Sequence, residues 1–134
     1  MSLDAALGKA ASTVPECVAA GYVDVASGML LSLKTVDSHP RQVIDLLAAA
    51  TADLFNGESV TMIERMFKKA RGLEDDGFHY FQEIIVNSEN LIHVFLRGKV
   101  HTEYVAVFVC RKTANLGMAL TKARLAMPDL EAAF

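Results

Sequence analysis

The sequence predicts one domain of the mixed α/β (α+β) class, with a five-stranded antiparallel sheet and helices on both of its faces. Segments with helical and strand periodicity follow one another in the order helix, two strands, helix, a further helical segment, three strands and helix. Residues 104–110 are apolar at nearly every position, which is typical of a strand covered on both sides. With 134 residues and 52% hydrophobic content, the chain can bury one sizeable core, so we expect a single domain over residues 1–134.

The first segments predict a helix followed by a hairpin. Apolar residues recur at helical spacing at Leu3, Leu7, Ala11 and Val14. Pro15 ends this helix because proline disfavours helical backbone in the residue before it. Residues 17–25 and 29–35 then form two apolar runs, and Gly28 supplies the tight turn between them.

The middle of the chain predicts two consecutive helices. Ser38 and Pro40 provide a capping residue and an early proline for a long helix over residues 40–55, which Asn56-Gly57 terminates. Ser59 is placed to cap a further helix over residues 59–71. Apolar side chains share one face of that second helix, at Ile63, Met66, Phe67 and Ala70.

The last part of the chain predicts three strands and a helix. The strands cover residues 78–87, 91–97 and 104–110, separated by short polar turns. Asn115 can cap the final helix. One apolar stripe runs along that helix, at Leu116, Leu120, Ala123 and Met127.

Two stretches resemble the Roadblock/LC7 family, which includes roadblock-type dynein light chains and bacterial GTPase regulators. The last strand, its turn Arg111-Lys112-Thr113 and the Ala-Asn-Leu-Gly sequence of residues 114–117 are similar to the family's C-terminal signature. Residues 22–32 resemble its first hairpin, and the element order extends the resemblance over nearly the whole chain. The resemblance implies a profilin-like fold, with the two terminal helices on one face of the sheet and the long middle helix on the other.

The resemblance also implies a non-enzymatic homodimer that regulates or scaffolds a small Ras-like GTPase or another signalling protein. In such a dimer the third strands pair edge to edge and the middle helices pack together. A long apolar third strand is independently prone to pairing with another chain. We therefore predict an interface that includes the following side chains: Leu47, Ala50, Leu54, Phe78, Tyr80, Gln82, Ile84 and Val86. The predicted polar rim for a partner is Arg41, Gln42, Asp45 and Asp53.

The middle helix supports a dimer on physical grounds, because its apolar surface is wider than docking on one sheet requires. One stripe consists of Val43, Leu46, Leu47, Ala50 and Leu54. An adjoining stripe consists of Ile44, Ala48, Thr51 and Phe55. The alternative is that residues 59–71 cover the surplus within the same chain.

The sequence offers no constellation that predicts catalysis, a metal or a cofactor. His101-Thr102-Glu103 resembles the first half of a zinc deaminase signature, but no Pro-Cys-x-x-Cys follows it. The histidines at positions 39, 79, 93 and 101 lack ligand spacing, and no glycine-rich phosphate loop occurs. Cys17 and Cys110 lie in apolar strands, where we expect unpaired, inert thiols.

Charge and hydropathy narrow the expected partners. A net charge of −3 makes nucleic acid an unexpected partner, and the absence of a long apolar run predicts no membrane insertion. We expect a cytoplasmic protein.

A second function class stays open, a profilin-like or PAS-like sensor domain that binds a small molecule in an apolar cavity with a few polar groups. The bulky core residues favour the scaffold over the sensor.

Overall fold

A computed structural model describes residues 2–36, 41–74 and 79–133, with backbone alone for residues 41–45. The elements follow the predicted order. They are α1 (Leu3–Thr13), β1 (Cys17–Asp24), β2 (Met29–Thr35), α2 (Arg41–Asn56), α3 (Glu58–Ala70), β3 (Glu83–Asn87), β4 (Leu91–Arg97), β5 (Tyr104–Arg111) and α4 (Leu116–Ala132).

The five strands form one antiparallel sheet in the order β2-β1-β5-β4-β3. The predicted fold class and strand count are confirmed. The apolar strand β5 lies in the centre, between β1 and β4. The edges of the sheet are β2 and β3.

The terminal helices α1 and α4 cover one face of the sheet, as predicted. Leu7 of α1 and Ala123 of α4 are fully buried against Phe108, which points to this face from the centre of the sheet. Side-chain oxygens cap both helices: Ser2 accepts a hydrogen bond from the Ala5 amide at 3.2 Å, and Asn115 accepts one from the Met118 amide at 3.0 Å. The predicted role of Asn115 is confirmed.

The middle helix α2 lies on the opposite face. Ala48 and Phe55 are buried against Val23, Phe95 and Val105, which point to this side of the sheet. The prediction that the middle helix and the terminal helices take opposite faces is therefore confirmed. At the hairpin turn Gly28 has a φ of +75°, a conformation that favours glycine and that explains its position there.

Two predicted boundaries are wrong. Helix α3 begins at Glu58 after a Gly57 cap, so Ser59 lies inside the helix and does not cap it. Strand β3 begins at Glu83, whereas the apolar pattern predicted a start at residue 78; Phe78 itself lies outside the described residues. The late start of β3 has a physical cause in the polar side chains that contact residues 79–82.

Candidate protein-interaction surface

The two apolar stripes predicted on α2 have different environments. Ala48, Thr51 and Phe55 are buried against the sheet. The other stripe faces outward: Leu46 is 70% exposed, Leu47 58% and Leu54 37%, and Ala50 is exposed as well. Helix α3 does not cover these side chains. The alternative prediction, that residues 59–71 cover the outer apolar stripe of α2 within the same chain, is therefore wrong.

Helix α3 has the reverse of the usual orientation for an amphipathic helix. Its buried residues are charged, Glu64 and Lys68. Its large apolar side chains are the exposed ones, at Met62, Ile63, Met66 and Phe67. Helix α3 therefore adds apolar surface to that of α2.

A buried carboxylate explains this orientation. Glu64 is 3% exposed, and its oxygens accept a hydrogen bond from the Tyr80 amide and lie 3.2 Å from the His79 ring nitrogen Nδ1. The other His79 nitrogen, Nε2, is 3.4 Å from Glu103. The Lys68 ammonium lies 5.9 Å from the centre of the Tyr80 ring, a cation–π contact. Because these polar contacts lie on the inner side of α3, its apolar side faces solvent.

Arg97, at the end of β4, joins three segments of the chain. Its guanidinium is 4% exposed and donates hydrogen bonds to the carbonyls of Phe81 at 2.9 Å, Thr102 at 2.8 Å and Phe55 at 3.2 Å. It also lies 5.1 Å from the centre of the Phe55 ring. Burial lowers the pKa of Arg97, and the nearby carboxylates of Glu64 and Glu103 oppose that shift.

These side chains account for the short third strand. The Tyr80 amide donates to Glu64, the Phe81 carbonyl accepts from Arg97, and the His79 carbonyl accepts from the Gln82 side chain at 2.5 Å. Side chains thus satisfy backbone groups that a longer β3 would have paired in the sheet. Of the interface residues predicted on this segment, only Ile84 and Val86 lie in β3, and Tyr80 and Gln82 precede it.

Ile84 and Val86 point to the same face of the sheet as α2, as their pairing with Phe95 and His93 shows. Ile84 is half-buried and Val86 is 38% exposed. Ile85 points to the opposite face and is 42% exposed. The described edge is shorter than predicted; its α2 side is apolar, whereas its other side carries Glu83 and Asn87 beside Ile85.

A cleft of about 620 Å³ opens to solvent between the β1–β2 turn and helices α2 and α3. Asp53, Asn56, Thr61 and His79 line its polar part. The Asn56 amide nitrogen donates to Glu103 at 3.3 Å, and its Oδ1 atom is buried without a hydrogen-bond partner in the described part of the chain. Of the predicted rim residues, Asp53 lies at this cleft and is exposed; the side chains of Arg41, Gln42 and Asp45 lie outside the described residues.

Neither a metal cluster nor a membrane-spanning helix occurs among the described residues. No group of three or more His, Cys, Asp or Glu side chains in residues 2–36, 41–74 and 79–133 is placed to hold a metal ion. Within the same ranges, no helix combines the length and apolarity needed to cross a bilayer. His93 lies on β4 beside Phe95, with ring centres 6.3 Å apart, and burial lowers its pKa.

The sequence alone missed three of these features. It did not reveal the Glu64–His79–Glu103 cluster, the anchoring role of Arg97 or the inward polar side of α3. One available signal was the helical spacing of Glu64 and Lys68, four residues apart on one face of α3. That spacing is usual for a solvated surface pair, so it does not by itself indicate burial.

Comparison with known proteins identifies the fold. No protein-family model matches the sequence, and no curated protein is similar to it in sequence. The gliding protein MglB from Thermus thermophilus has a similar structure, with a TM-score of 0.71 at 19% identity over 98% of this chain and 87% of that one. A Roadblock/LC7 domain from Streptomyces avermitilis gives a TM-score of 0.68 at 13% identity over 98% and 97%.

A third similar structure, described as MglB with a tetrameric arrangement, gives a TM-score of 0.71 at 21% identity over 98% of this chain and 90% of that one. At such low identities the TM-scores show the shared fold alone. The chain has the profilin-like fold of Roadblock/LC7 domains, and the fold that the last-strand motif implied is confirmed.

Proposed function

We propose that this chain is a non-enzymatic homodimer that regulates or scaffolds a signalling protein in the cytoplasm. The observation that carries the proposal is the outward apolar stripe of α2, in which Leu46 and Leu47 are more than half exposed. Monomeric domains rarely leave such contiguous apolar surface in water. The second apolar surface, on α3, increases the area that a partner could bury.

The dimer would combine two contacts on the same side of the sheet. Strand β3 is an edge strand, and its counterpart in a second copy can pair with it to continue the sheet. Ile84 and Val86 would then contact the second copy together with Leu47, Ala50 and Leu54 of α2. In a twofold dimer both copies bury the same patch, so an apolar patch on one copy meets the same apolar patch on the other. Phe78, Tyr80 and Gln82 stay predicted members of this interface.

For the partner, we propose a small Ras-like GTPase, as the Roadblock/LC7 resemblance implies. The structural likeness to MglB supports the fold on which this proposal rests. The contact would lie on the face that bears the α2 helices, with Asp53 in its polar rim together with Arg41, Gln42 and Asp45. No nucleic acid, cofactor or metal is part of the proposal.

Dimerisation can be tested with charge substitutions. Leu47→Glu and Ile84→Lys each place a charge in the proposed apolar contact, where an unpaired charge is unfavourable. We expect the wild-type protein to sediment as a dimer at about 10 μM, a concentration well above the Kd of a stable interface, and each variant to sediment largely as a monomer.

The matched control is Leu125→Glu. Leu125 lies on α4, on the opposite face of the sheet, and is 67% exposed, close to the 58% of Leu47. The same change at this position should leave the dimer intact. A monomeric wild-type protein, or equal dissociation by Leu125→Glu, would contradict the proposed interface.

The partner can be tested by affinity capture from the native cell extract, with and without a non-hydrolysable GTP analogue. Nucleotide-dependent recovery of a Ras-like GTPase by the wild type, and its loss with Asp53→Lys, would support the proposed contact. A variant that still dimerises but loses the GTPase would separate the partner site from the dimer interface. Turnover of a small substrate by the purified chain, abolished by one substitution, would contradict the non-enzymatic role.

The sensor alternative has one candidate site, the cleft beside Asn56. The buried, unpartnered Asn56 Oδ1 atom could accept a hydrogen bond from a small ligand. A ligand that raises the melting temperature of the wild type but not of Asn56→Leu would favour this alternative. The extensive exposed apolar surface favours the scaffold.

A further inference from the structure

The two cysteines of the chain, distant in sequence, are neighbours in the sheet. Cys17, the first residue of β1, pairs directly with Cys110 of β5. Cys110 lies in the core beneath α1 and α4, and Cys17 packs against that core, where its thiol donates a hydrogen bond to the Ala19 carbonyl at 3.1 Å. The pairing of β1 with β5 shifts register between Cys17 and Ala19, so the Cys17–Cys110 pair lies at the end of the ladder beside an irregularity. Paired residues of a regular antiparallel ladder have Cα atoms about 4.5–5.5 Å apart, within the range of about 4.4–6.8 Å that a disulfide spans.

The two thiols differ in their access to solvent. Cys17 is half-buried beside the exposed residue Glu16, whereas Cys110 is 0% exposed. The neighbouring Cys110 thiol lowers the pKa of Cys17, burial opposes this shift, and the backbone of Ala19 and Val109 lowers the pKa further. The same thiol contact and burial raise the pKa of Cys110. Cys17 is therefore the accessible nucleophile, and Cys110 keeps its proton.

We propose that Cys17 and Cys110 are an oxidant-sensitive pair that a hydroperoxide converts to an intrachain disulfide. The Cys17 thiolate attacks one oxygen of hydrogen peroxide, the O–O bond breaks, and the leaving hydroxide takes up a proton to become water. The Cys110 sulfur then attacks the sulfenic acid on Cys17 and the S–O bond breaks. The hydroxide that leaves takes the Cys110 proton, so two thiols and one peroxide give one disulfide and two waters.

The disulfide would join the start of β1 to the end of β5. Glu16 and Arg111 already hold these ends together, since the Arg111 amide donates to the Glu16 carbonyl at 3.0 Å. A covalent bond here closes a loop that contains every residue between positions 17 and 110, which reduces the freedom of the unfolded chain. The melting temperature of the oxidised protein should therefore rise by on the order of 10 °C.

The test is intact mass spectrometry of the whole chain before and after hydrogen peroxide, followed by denaturation and alkylation with N-ethylmaleimide. The sequence contains only these two cysteines, so each product can be assigned. We expect the oxidised wild type to lose two hydrogens, to take up no maleimide and to recover both thiols after dithiothreitol. Non-reducing electrophoresis should show one chain per species.

Two alanine variants test which cysteine reacts with peroxide and which one then forms the disulfide. In Cys17→Ala, the buried Cys110 should resist peroxide and take up maleimide after denaturation. In Cys110→Ala, Cys17 should stop at the sulfenic acid and be trapped by dimedone. Oxidised wild type that still takes up two maleimides, that gains oxygen on Cys17 without a disulfide, or that links two chains would overturn the proposal. The oxidation product of the wild type is sufficient to support or contradict the proposed disulfide. The test therefore remains valid even if a variant fails to fold.

Discussion

The two faces of the sheet are both apolar, but helices of the same chain close only one of them. Strand β5 shows the difference within eight residues. Ala106, Phe108 and Cys110 point to the face under α1 and α4, and all three are fully buried. On the other face Val105 is buried under the end of α2, while Val107 and Val109 stay partly exposed.

An apolar strand such as β5 does not by itself reveal what covers each of its two faces. On the first face, two helices supply small and branched side chains that fill the space over the sheet. On the second face, α2 lies over β1 and β2 and covers Phe95 of β4 with Phe55, whereas among the described residues Ile84 and His93 stay half-buried. The open face is therefore the one on which we place the partner.

The largest expected effect comes from a cavity in the closed face. Phe108→Ala removes a fully buried ring beneath α1 and α4 and should lower the free energy of unfolding by about 3–5 kcal/mol. The matched control is Leu125→Ala on α4, whose exposed side chain should change stability by less than about 0.5 kcal/mol. Urea denaturation followed by circular dichroism measures both. Equal losses for the two variants would mean that the closed face is not the main core.

An intermediate effect is expected from the polar anchor at the margin of the open face. Arg97→Met keeps much of the side-chain length but leaves the carbonyls of Phe55, Phe81 and Thr102 without their donor, which should cost about 3 kcal/mol of stability. The control is Arg124→Met, which removes an exposed guanidinium bonded to Glu83 and should have little effect.

Hydrogen exchange would refine this prediction. Since Arg97 joins the end of α2 to residues 79–82, its loss should raise exchange in these segments more than in α1. Uniform protection across the chain in Arg97→Met would contradict the anchoring role.

The smallest expected effect is a pH dependence from His93 on the open face. Burial lowers the pKa of His93 below its ordinary value of 6.5, so the unfolded chain binds the proton more readily than the folded chain. Stability should therefore be retained above about pH 6.5 and should fall as pH drops below it. Urea midpoints of the wild type and His93→Gln, compared across this range, test the prediction. A wild-type loss that His93→Gln does not reduce would assign the dependence to other groups.

The local pattern predicted much of this architecture. The Asn115 cap of α4, the glycine turn at Gly28 and the continuous apolar run of β5 each depend on neighbouring residues. The stripe predicted on α4 is only partly correct, because Ala123 is buried whereas Leu116 is 41% exposed. Such patterns determine which segments form helices or strands, and together with the Roadblock/LC7 resemblance they placed α2 opposite the terminal helices. They also determined that α2 carries two adjoining apolar stripes.

Tertiary structure decided which of those stripes is buried, where β3 begins and which side of α3 faces inward. The last two features depend on Glu64, His79, Glu103 and Arg97, which come from separate parts of the chain and meet only in the folded protein. From the neighbouring sequence, a carboxylate on a helix is expected to be solvent-exposed. In the folded protein the Tyr80 amide and the His79 imidazole contact Glu64 and make its burial favourable. The pairing of Cys17 with Cys110 follows the same principle, because strand register is a long-range property that no short stretch of sequence determines.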